Sequence, residues 1–170
     1  MRLIAWTNSS QLLRCAAKIF LPSLVNVASA SHYQAKKIDW DKVRGKTRSY
    51  TAMKEYAVSK LSNVLFTKEL ARRLEGTGVT TYAVHPGVVA TDIWTRVPPP
   101  FRWVIKRFMI TPEQGAESSL RTATDPALAR ETGKYYDVGG REKRPSRLAD
   151  DTELAATLWK RSAEWTGLPA

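Results

Sequence analysis

The stretch from Tyr56 to Leu74 constrains the fold of this chain more than any other part of the sequence. Its apolar side chains recur at steps of three and four residues, which is the spacing of a helix that buries one face. We expect the helix to begin near Thr51 and to end at the glycine-containing stop at residues 76–78. The apolar positions are Val58, Leu61, Leu65 and Leu74, flanked by Val64 and Leu70.

Tyr56 and Lys60 stand one turn apart in this helix, and therefore on the same face. A fixed ammonium group favours the phenolate form of a neighbouring phenol, so the pair suits proton transfer. A tyrosine four residues before a lysine is a weak pattern by itself. The position in the first turns of a packed helix favours this pair over the two other matches in the chain. Those matches are Tyr33 with Lys37 and Tyr50 with Lys54.

Two short apolar runs flank this helix and predict buried strands. Residues 23–27 lead into small residues, and the β-branched and aromatic run 79–85 is cut off by Pro86-Gly87. A strand, a long helix, a glycine turn and a second strand make a parallel, right-handed βαβ unit. The fold class is therefore α/β. Ser29 and Pro86-Gly87 then follow neighbouring strands at the sheet edge where such folds bind ligands.

Other segments give weaker signals. Residues 12–20 carry a faint helical stripe, and residues 32–49 are polar and without period, which predicts a loop. A helix start at Thr111-Pro112 has proline at its first position, and residues 133–138 are the candidate third strand. A last helix is expected over 154–165.

Composition narrows the classes of partner. The formal charge of +11 would suit nucleic acid, an anionic membrane surface or a phosphorylated cofactor. No basic helix with interleaved aromatic residues is present, so we expect no nucleic-acid partner. Cys15 is the only cysteine, which excludes an intrachain disulfide and a cysteine zinc cluster, and we expect no metal. With neither a signal-peptide core nor a run of about 20 apolar residues, the expected location is the reducing cytoplasm.

Four motifs, taken in their order and spacing, resemble those of the short-chain dehydrogenases/reductases, and within that family the retinol-dehydrogenase-like branch. The resemblance covers roughly residues 23 to 168 and implies the last three strands of a seven-stranded Rossmann-like sheet. The motifs are Val25-Asn26-Val27-Ala28-Ser29, Tyr56-Ala57-Val58-Ser59-Lys60-Leu61-Ser62-Asn63, Val84-His85-Pro86-Gly87-Val88-Val89-Ala90-Thr91 and Thr111-Pro112-Glu113-Gln114-Gly115-Ala116.

The resemblance implies a reaction and a role for each site residue. The reaction interconverts an alcohol and a carbonyl with NAD or NADP as cofactor. Ser29 matches the serine that hydrogen-bonds the substrate, Tyr56 the general acid/base, and Lys60 the lysine that holds the nicotinamide ribose and lowers the pKa of the tyrosine. The cofactor-binding turn is matched by Pro86, Gly87 and Val89, whose backbone would meet the nicotinamide carboxamide, and by Thr91, whose hydroxyl would meet the carboxamide or pyrophosphate.

These roles have structural alternatives. Ser29 would also suit a tight turn after a strand, and Ser31 is close enough to take its role. Lys60 by itself would be a solvated helix lysine. His85 is a tempting base, but a histidine that ends a strand before Pro-Gly matches a structural position in this branch, so we leave it outside the site. The aromatic segment 94–110 is assigned to the core or to an apolar lid over a lipophilic substrate.

The chain also departs from the family pattern. Its first glycine is Gly45, so the glycine-rich turn that receives the pyrophosphate is absent before the first strand. We therefore predict an atypical segment, residues 1–22, followed by the C-terminal part of a Rossmann-like dehydrogenase domain, residues 23–170, in a truncated chain with impaired cofactor binding. The first strand would have an open edge, which invites homo- or hetero-oligomers.

Three functions remain in competition, and we rank them in this order. The first is an oxidoreductase acting on a small lipophilic alcohol or carbonyl, such as a retinoid, a steroid or a long-chain aldehyde. The second is a non-catalytic interaction protein that retains a remnant active site and binds a partner through its open edge or helices. The third is a membrane-surface protein, suggested by the net charge and by the basic amphipathic segment 101–110.

Overall fold

A four-stranded sheet organises the part of the chain that the structure describes, which in this computed structural model comprises residues 22–47, 51–89 and 109–169. Several predictions lie outside the described residues. They are the stripe at 12–20 and the rest of the N-terminal segment up to residue 21, Cys15, Tyr50, Thr91 and the aromatic segment up to residue 108.

The sheet has the order β1-β2-β3-β4 and is parallel except at its last strand. β1 (Ser23–Val27), β2 (Thr80–Val84) and β3 (Lys134–Asp137) are the three strands that the sequence predicts, and their parallel pairing is confirmed. β4 (Arg141–Glu142) was not predicted, and it pairs antiparallel with β3. The described sheet is therefore mixed and has one strand more than expected.

The central position of β2 explains its composition. All five of its residues are buried, because β1 and β3 pair with its two edges and protein covers both of its faces. A strand covered on both faces reads as a continuous apolar and β-branched run without alternation. Tyr82 and Val84 belong to the cluster on one face, whereas Ala83 belongs to the larger cluster on the other.

Helix α1 (Met53–Arg73) is the βαβ crossover that the sequence predicts. Its buried face contains Leu61, Val64 and Leu65, which confirms the three- and four-residue spacing. The helix is shorter than predicted at both ends. Ala52, with φ of 55°, precedes its first turn, and the chain leaves the helix at Leu74, before the glycines of the predicted stop.

The two remaining helices begin at capped ends. α2 (Pro112–Thr124) has a capping box, in which the Thr111 hydroxyl accepts from the Gln114 N–H and the Gln114 side chain accepts from the Thr111 N–H. α3 (Thr152–Thr166) is capped by Asp151, whose carboxylate accepts from the Leu154 N–H at 2.9 Å. Both predicted helices are thereby confirmed.

Helices lie on both faces of the sheet. On one face, α1 packs against the sheet and against α3, and its core cluster includes Ala83, Tyr135 and Leu158. On the other face, α2 approaches β1, where the Ser23 hydroxyl donates to the carbonyl of Ala123. None of the described helices is long and apolar enough to cross a membrane.

The prediction of a polar loop over 32–49 was partly wrong. A short 3-10 helix spans Ala30–Gln34, and His32, Ala35 and Ile38 are buried within the described part of this segment. These three residues recur every third position and join the core between α1 and the sheet, so one side of a largely polar stretch faces inward. A pattern search for longer apolar periods does not detect so short an element.

Strand β1 forms one edge of the described sheet. The Ala28 N–H donates to Val84 O at 2.8 Å, and the Thr80 N–H donates to Pro22 O at 3.0 Å. Because successive backbone groups of a strand point to opposite sides, the odd-numbered residues of β1 direct their backbone groups away from β2. Leu24 and Val27 are 46% and 49% exposed there, as expected of an edge that no described strand covers.

Candidate active site

Tyr56 and Lys60 lie together in the first two turns of α1, next to the carboxyl end of β1. The Lys60 ammonium is 5.5 Å from the centroid of the Tyr56 ring. The phenol is 43% exposed, and its hydroxyl makes no hydrogen bond with any residue that the structure describes. The two predicted groups are therefore adjacent, and the Tyr56 hydroxyl is accessible to a substrate.

The Lys60 side chain also reaches the backbone of β1. Its Nζ donates to Val27 O over 3.3 Å, and the Nδ2 of Asn63 donates to the same carbonyl over 3.0 Å. Asn63 lies three residues after Lys60 and hence on the same helical face. Sequence reasoning missed the part played by Asn63, although the spacing placed it beside the predicted pair.

Ser29 follows β1 and begins the 3-10 helix. Its hydroxyl oxygen accepts from the Ser31 N–H at 3.2 Å and lies 3.3 Å from the Ser31 hydroxyl, and the residue is 8% exposed. Ser29 is thus the N-cap of a short helix that packs against α1. Both serine hydroxyls stand at this edge of the sheet, so Ser31 stays an alternative to Ser29.

His32 fixes the backbone behind Ser29, which the sequence did not predict. Its Nδ1 lies 2.7 Å from Ser29 O, and its Nε2 accepts from the Ser146 N–H at 3.1 Å. Because an N–H group can only donate, Nε2 carries the lone pair and Nδ1 carries the proton that is donated to Ser29 O. Burial is the main cause that lowers the pKa of this fully buried imidazole.

The turn after β2 contains the predicted cofactor-binding residues. Gly87 has φ of 94°, and a Cβ atom there would lie 2.5 Å from Ile110 Cδ1. The Ile110 N–H donates to Val88 O at 3.1 Å, and Val89 pairs with Ile110 in an isolated parallel bridge. The Pro86–Gly87 turn is therefore packed against the segment that leads into α2, and only glycine fits at its tightest point.

The rival tyrosine at position 33 has a different surrounding. Its hydroxyl donates to Arg144 O at 2.6 Å, and its pKa is raised, mainly by burial. The 3-10 helix ends at Gln34, so Tyr33 and Lys37 do not share a helical face. Tyr33 therefore lacks the helical pairing that Tyr56 has with Lys60, although the Lys143 ammonium lies 5.6 Å from the centroid of its ring.

One cavity among the described residues lies away from this site. It has a volume of about 710 Å³ and is lined by residues at the amino ends of β2 and β3, among them Thr80 and Gly133. Tyr56 and the Pro86–Gly87 turn lie at the opposite, carboxyl ends of the strands. Among the described residues, no group of three His, Cys, Asp or Glu side chains is placed to hold a metal ion.

Comparison with proteins of known sequence finds similar dehydrogenases. Retinol dehydrogenase 13 from Homo sapiens is 39% identical over 174 residues, which cover 95% of this chain and 51% of that protein. Retinol dehydrogenase 14 from Homo sapiens is 36% identical over 166 residues, which cover 94% of this chain and 48% of that protein. The chain therefore spans about half the length of these curated relatives. No family model matches the chain.

Comparison with solved structures finds the same kind of fold. The crystal structure of an uncharacterized protein from Mycobacterium paratuberculosis matches with a TM-score of 0.61 and 26% identity, over 88% of this chain and 52% of that one. NADPH-bound carbonyl reductase from chicken fatty liver matches with a TM-score of 0.50 and 16% identity, over 77% of this chain and 47% of that one. The second likeness concerns the fold alone.

Proposed function

The chain belongs to the short-chain dehydrogenase/reductase family, and from this membership we propose that it carries the proton-transfer site of an NAD(P)-dependent oxidoreductase that interconverts an alcohol and a carbonyl. The observation that carries the proposal is the pairing of an accessible Tyr56 phenol with the Lys60 ammonium beside its ring, at the ligand-binding edge of a parallel sheet.

In the proposed reaction, the residues of this chain hold the substrate and move one proton. The Tyr56 hydroxyl donates its proton to the carbonyl oxygen during reduction and accepts it back during oxidation. The Lys60 ammonium, 5.5 Å from the centroid of the Tyr56 ring, would hold the nicotinamide ribose of the bound cofactor. Ser29, or Ser31 beside it, donates a hydrogen bond to the same substrate oxygen.

The described residues fit one half of a nicotinamide dinucleotide. Lys60 and the Pro86–Gly87 turn stand at the edge where a nicotinamide ribose would bind, and the bound cofactor would supply or accept the hydride. No glycine-rich turn at a helix N-terminus is present in the described ranges to receive the pyrophosphate. We therefore propose that the described residues by themselves hold only the nicotinamide end of NAD or NADP, which predicts weak binding.

We propose a lipophilic substrate. Two relatives are named retinol dehydrogenases, and the sequence between residues 94 and 110 is rich in apolar and aromatic side chains. Apolar and aromatic side chains favour a long apolar alcohol or aldehyde as ligand.

The proposal is tested by measuring NADPH- and NADH-dependent reduction of retinaldehyde by the purified chain. Tyr56→Phe should lower the rate at least about 100-fold, because general acid/base groups contribute about 10²–10⁴ to rates. Tyr33→Phe is the matched control, since it removes the same hydroxyl from the rival motif, and it should leave the rate within about threefold. Equal rates for wild type and Tyr56→Phe would remove Tyr56 from the mechanism.

The edge of β1, which no described strand covers, supports a second candidate, a non-catalytic protein that binds a partner strand. The strand is uncharged, contains no proline, and leaves Leu24 and Val27 about half exposed. Such an edge offers unpaired backbone groups to another strand. The occupant that we test is a second copy of this chain, paired through residues 23 and 25, because the Val27 carbonyl already accepts from Lys60 and Asn63.

Val25→Pro tests this pairing selectively. The Val25 N–H points away from β2, so proline there removes a docking donor and leaves the hydrogen bonds between β1 and β2 in place. Leu24→Pro is the control, because it removes an N–H that faces β2 and should unfold the chain. Sedimentation should show concentration-dependent association of the wild type and a folded monomer for Val25→Pro. Unchanged association of Val25→Pro, or a monomeric wild type, would contradict the pairing.

A further inference from the structure

The imidazole of His85 accepts a hydrogen bond from the turn that follows it. The Gly87 N–H donates to His85 Nδ1 over 3.3 Å. Because a backbone N–H can only donate, Nδ1 carries the lone pair, and a neutral ring then has its proton on Nε2. The backbone N–H of His85 donates to Tyr136 O at 2.8 Å, and the residue is only 8% exposed, so the ring is held against the sheet.

This hydrogen bond runs from residue i+2 back to the side chain of residue i. Asparagine and aspartate side chains make the same bond in turns, where their oxygen replaces a backbone acceptor. The turn itself has little freedom, since Gly87 has a positive φ and lies against Ile110 and Val138. The His85 ring thus satisfies the one N–H that the tight Gly87 conformation directs inward.

We propose that His85 is a positioning residue, whose neutral imidazole holds the Pro86–Gly87 turn in the conformation that the nicotinamide end of the cofactor requires. The part of this inference that concerns the cofactor rests on the proposed function. His85 acts through the turn and does not itself touch the reacting atoms, which separates it from the tyrosine and lysine of the site.

The charge state of His85 matters to this role, because a protonated ring would turn an N–H toward the Gly87 N–H. The charged and titratable groups that face the ring are Asp137 at the end of β3, Lys143 after β4, and His32 from the 3-10 helix. Burial lowers the pKa of His85 most, Lys143 lowers it further and Asp137 raises it. The neutral ring is therefore the resident form at neutral pH, and acid weakens the turn.

Two variants separate the acceptor from the titration. His85→Asn keeps an acceptor at nearly the same place but cannot be protonated, whereas His85→Ala removes the acceptor. In NADPH titrations at pH 8, His85→Asn should bind within about twofold of the wild type. His85→Ala should bind about three- to tenfold more weakly, which corresponds to one lost hydrogen bond. At pH 5 the wild type should fall toward His85→Ala, while His85→Asn keeps its advantage.

Hydrogen exchange of the Gly87 amide provides a readout that needs no cofactor. We expect slow exchange in the wild type and His85→Asn, and faster exchange in His85→Ala. Equal exchange in all three proteins would overturn the role of His85, as would equal affinity of His85→Ala and the wild type for NADPH. If the wild type bound no dinucleotide, the proposed function would fail, and the exchange rates alone would decide whether His85 holds the turn.

Discussion

Acid should destabilise this protein between pH 7.5 and pH 5.5, through its two histidines. The chain contains only His32 and His85, and both are buried with pKa values lowered mainly by desolvation. Each has a ring nitrogen that accepts from a backbone N–H, Ser146 for the first and Gly87 for the second. Protonation would place two donors face to face at each site and would bury a charge.

The sign and size of the effect follow from proton linkage. At pH 7.5 and above, both rings are almost entirely neutral in the folded and unfolded states, so they add little pH dependence. At lower pH the histidine rings bind protons in the unfolded chain but not in the folded chain. The free energy of unfolding therefore falls until the pH reaches the pKa of the rings in the folded chain. Between pH 7.5 and 5.5 this amounts to at most about 1.4 kcal/mol for each histidine.

Urea unfolding followed by tryptophan fluorescence measures this loss at the two pH values. The wild type should lose up to about 2.7 kcal/mol, and His85→Asn should lose about half as much, because only His32 then titrates. His32→Asn gives the complementary measurement. Carboxyl groups titrate mostly below this window and contribute little. A wild-type stability that is flat with pH, or an equal loss in His85→Asn, would refute the assignment of buried neutral rings.

Three further predictions concern single contacts, and each is measured by denaturant unfolding. Gly87→Ala should lower the free energy of unfolding by about 1–3 kcal/mol more than Gly76→Ala does. Both glycines have a positive φ, but only at Gly87 would an added Cβ meet an isoleucine side chain. Equal losses for the two variants would argue against the tight turn. Ser29→Ala should lower the free energy of unfolding by about 1 kcal/mol, because the N-cap hydrogen bond is lost. Tyr56→Phe should change it by less than about 0.5 kcal/mol. A larger effect of Tyr56→Phe would mean that its hydroxyl is hydrogen-bonded in the folded chain. Asn63→Ala should cost about 0.5–1 kcal/mol by removing one donor from Val27 O, and no change would show that Lys60 alone satisfies that carbonyl.

The sequence predicted those elements whose signals lie within the element itself. β1, α1 and β2 each have a composition and period that a single window contains, and their parallel order follows from the chirality of the βαβ connection. The ends of α1 were less accurate, because helix termini depend on capping and on the chain beyond them.

Elements that depend on distant partners were missed. β4 has two charged residues and no period, and it exists because a turn through Gly139 and Gly140, both with positive φ, brings it beside β3. His32 is buried by its contacts with Ser146 and Tyr135, which lie more than 100 residues away along the chain. A pattern in one window contains no information about such contacts.

The candidate site shows the same division. Tyr56 and Lys60 could be predicted as neighbours, because helical spacing is a local property. The sequence could not predict that Lys60 and Asn63 both donate to the Val27 carbonyl, because this depends on how α1 lies across the end of β1. For Ser29 the sequence offered a tight turn as the structural alternative, and it did not predict that Ser29 is the N-cap of a 3-10 helix.

The Val27 carbonyl links the two proposed functions. As an odd-numbered residue of β1, Val27 directs this carbonyl away from β2, toward the edge that a partner strand would use. Lys60 and Asn63 already donate to it, so a docked strand must displace both side chains or pair only with residues 23 and 25. If a ribose hydroxyl bound Lys60, the Val27 carbonyl would still accept a hydrogen bond from Asn63. A partner strand that paired with all of β1 would instead compete with both side chains for this carbonyl. We therefore expect that a strand that pairs with Val27 and a dinucleotide that binds Lys60 would influence each other through this backbone oxygen.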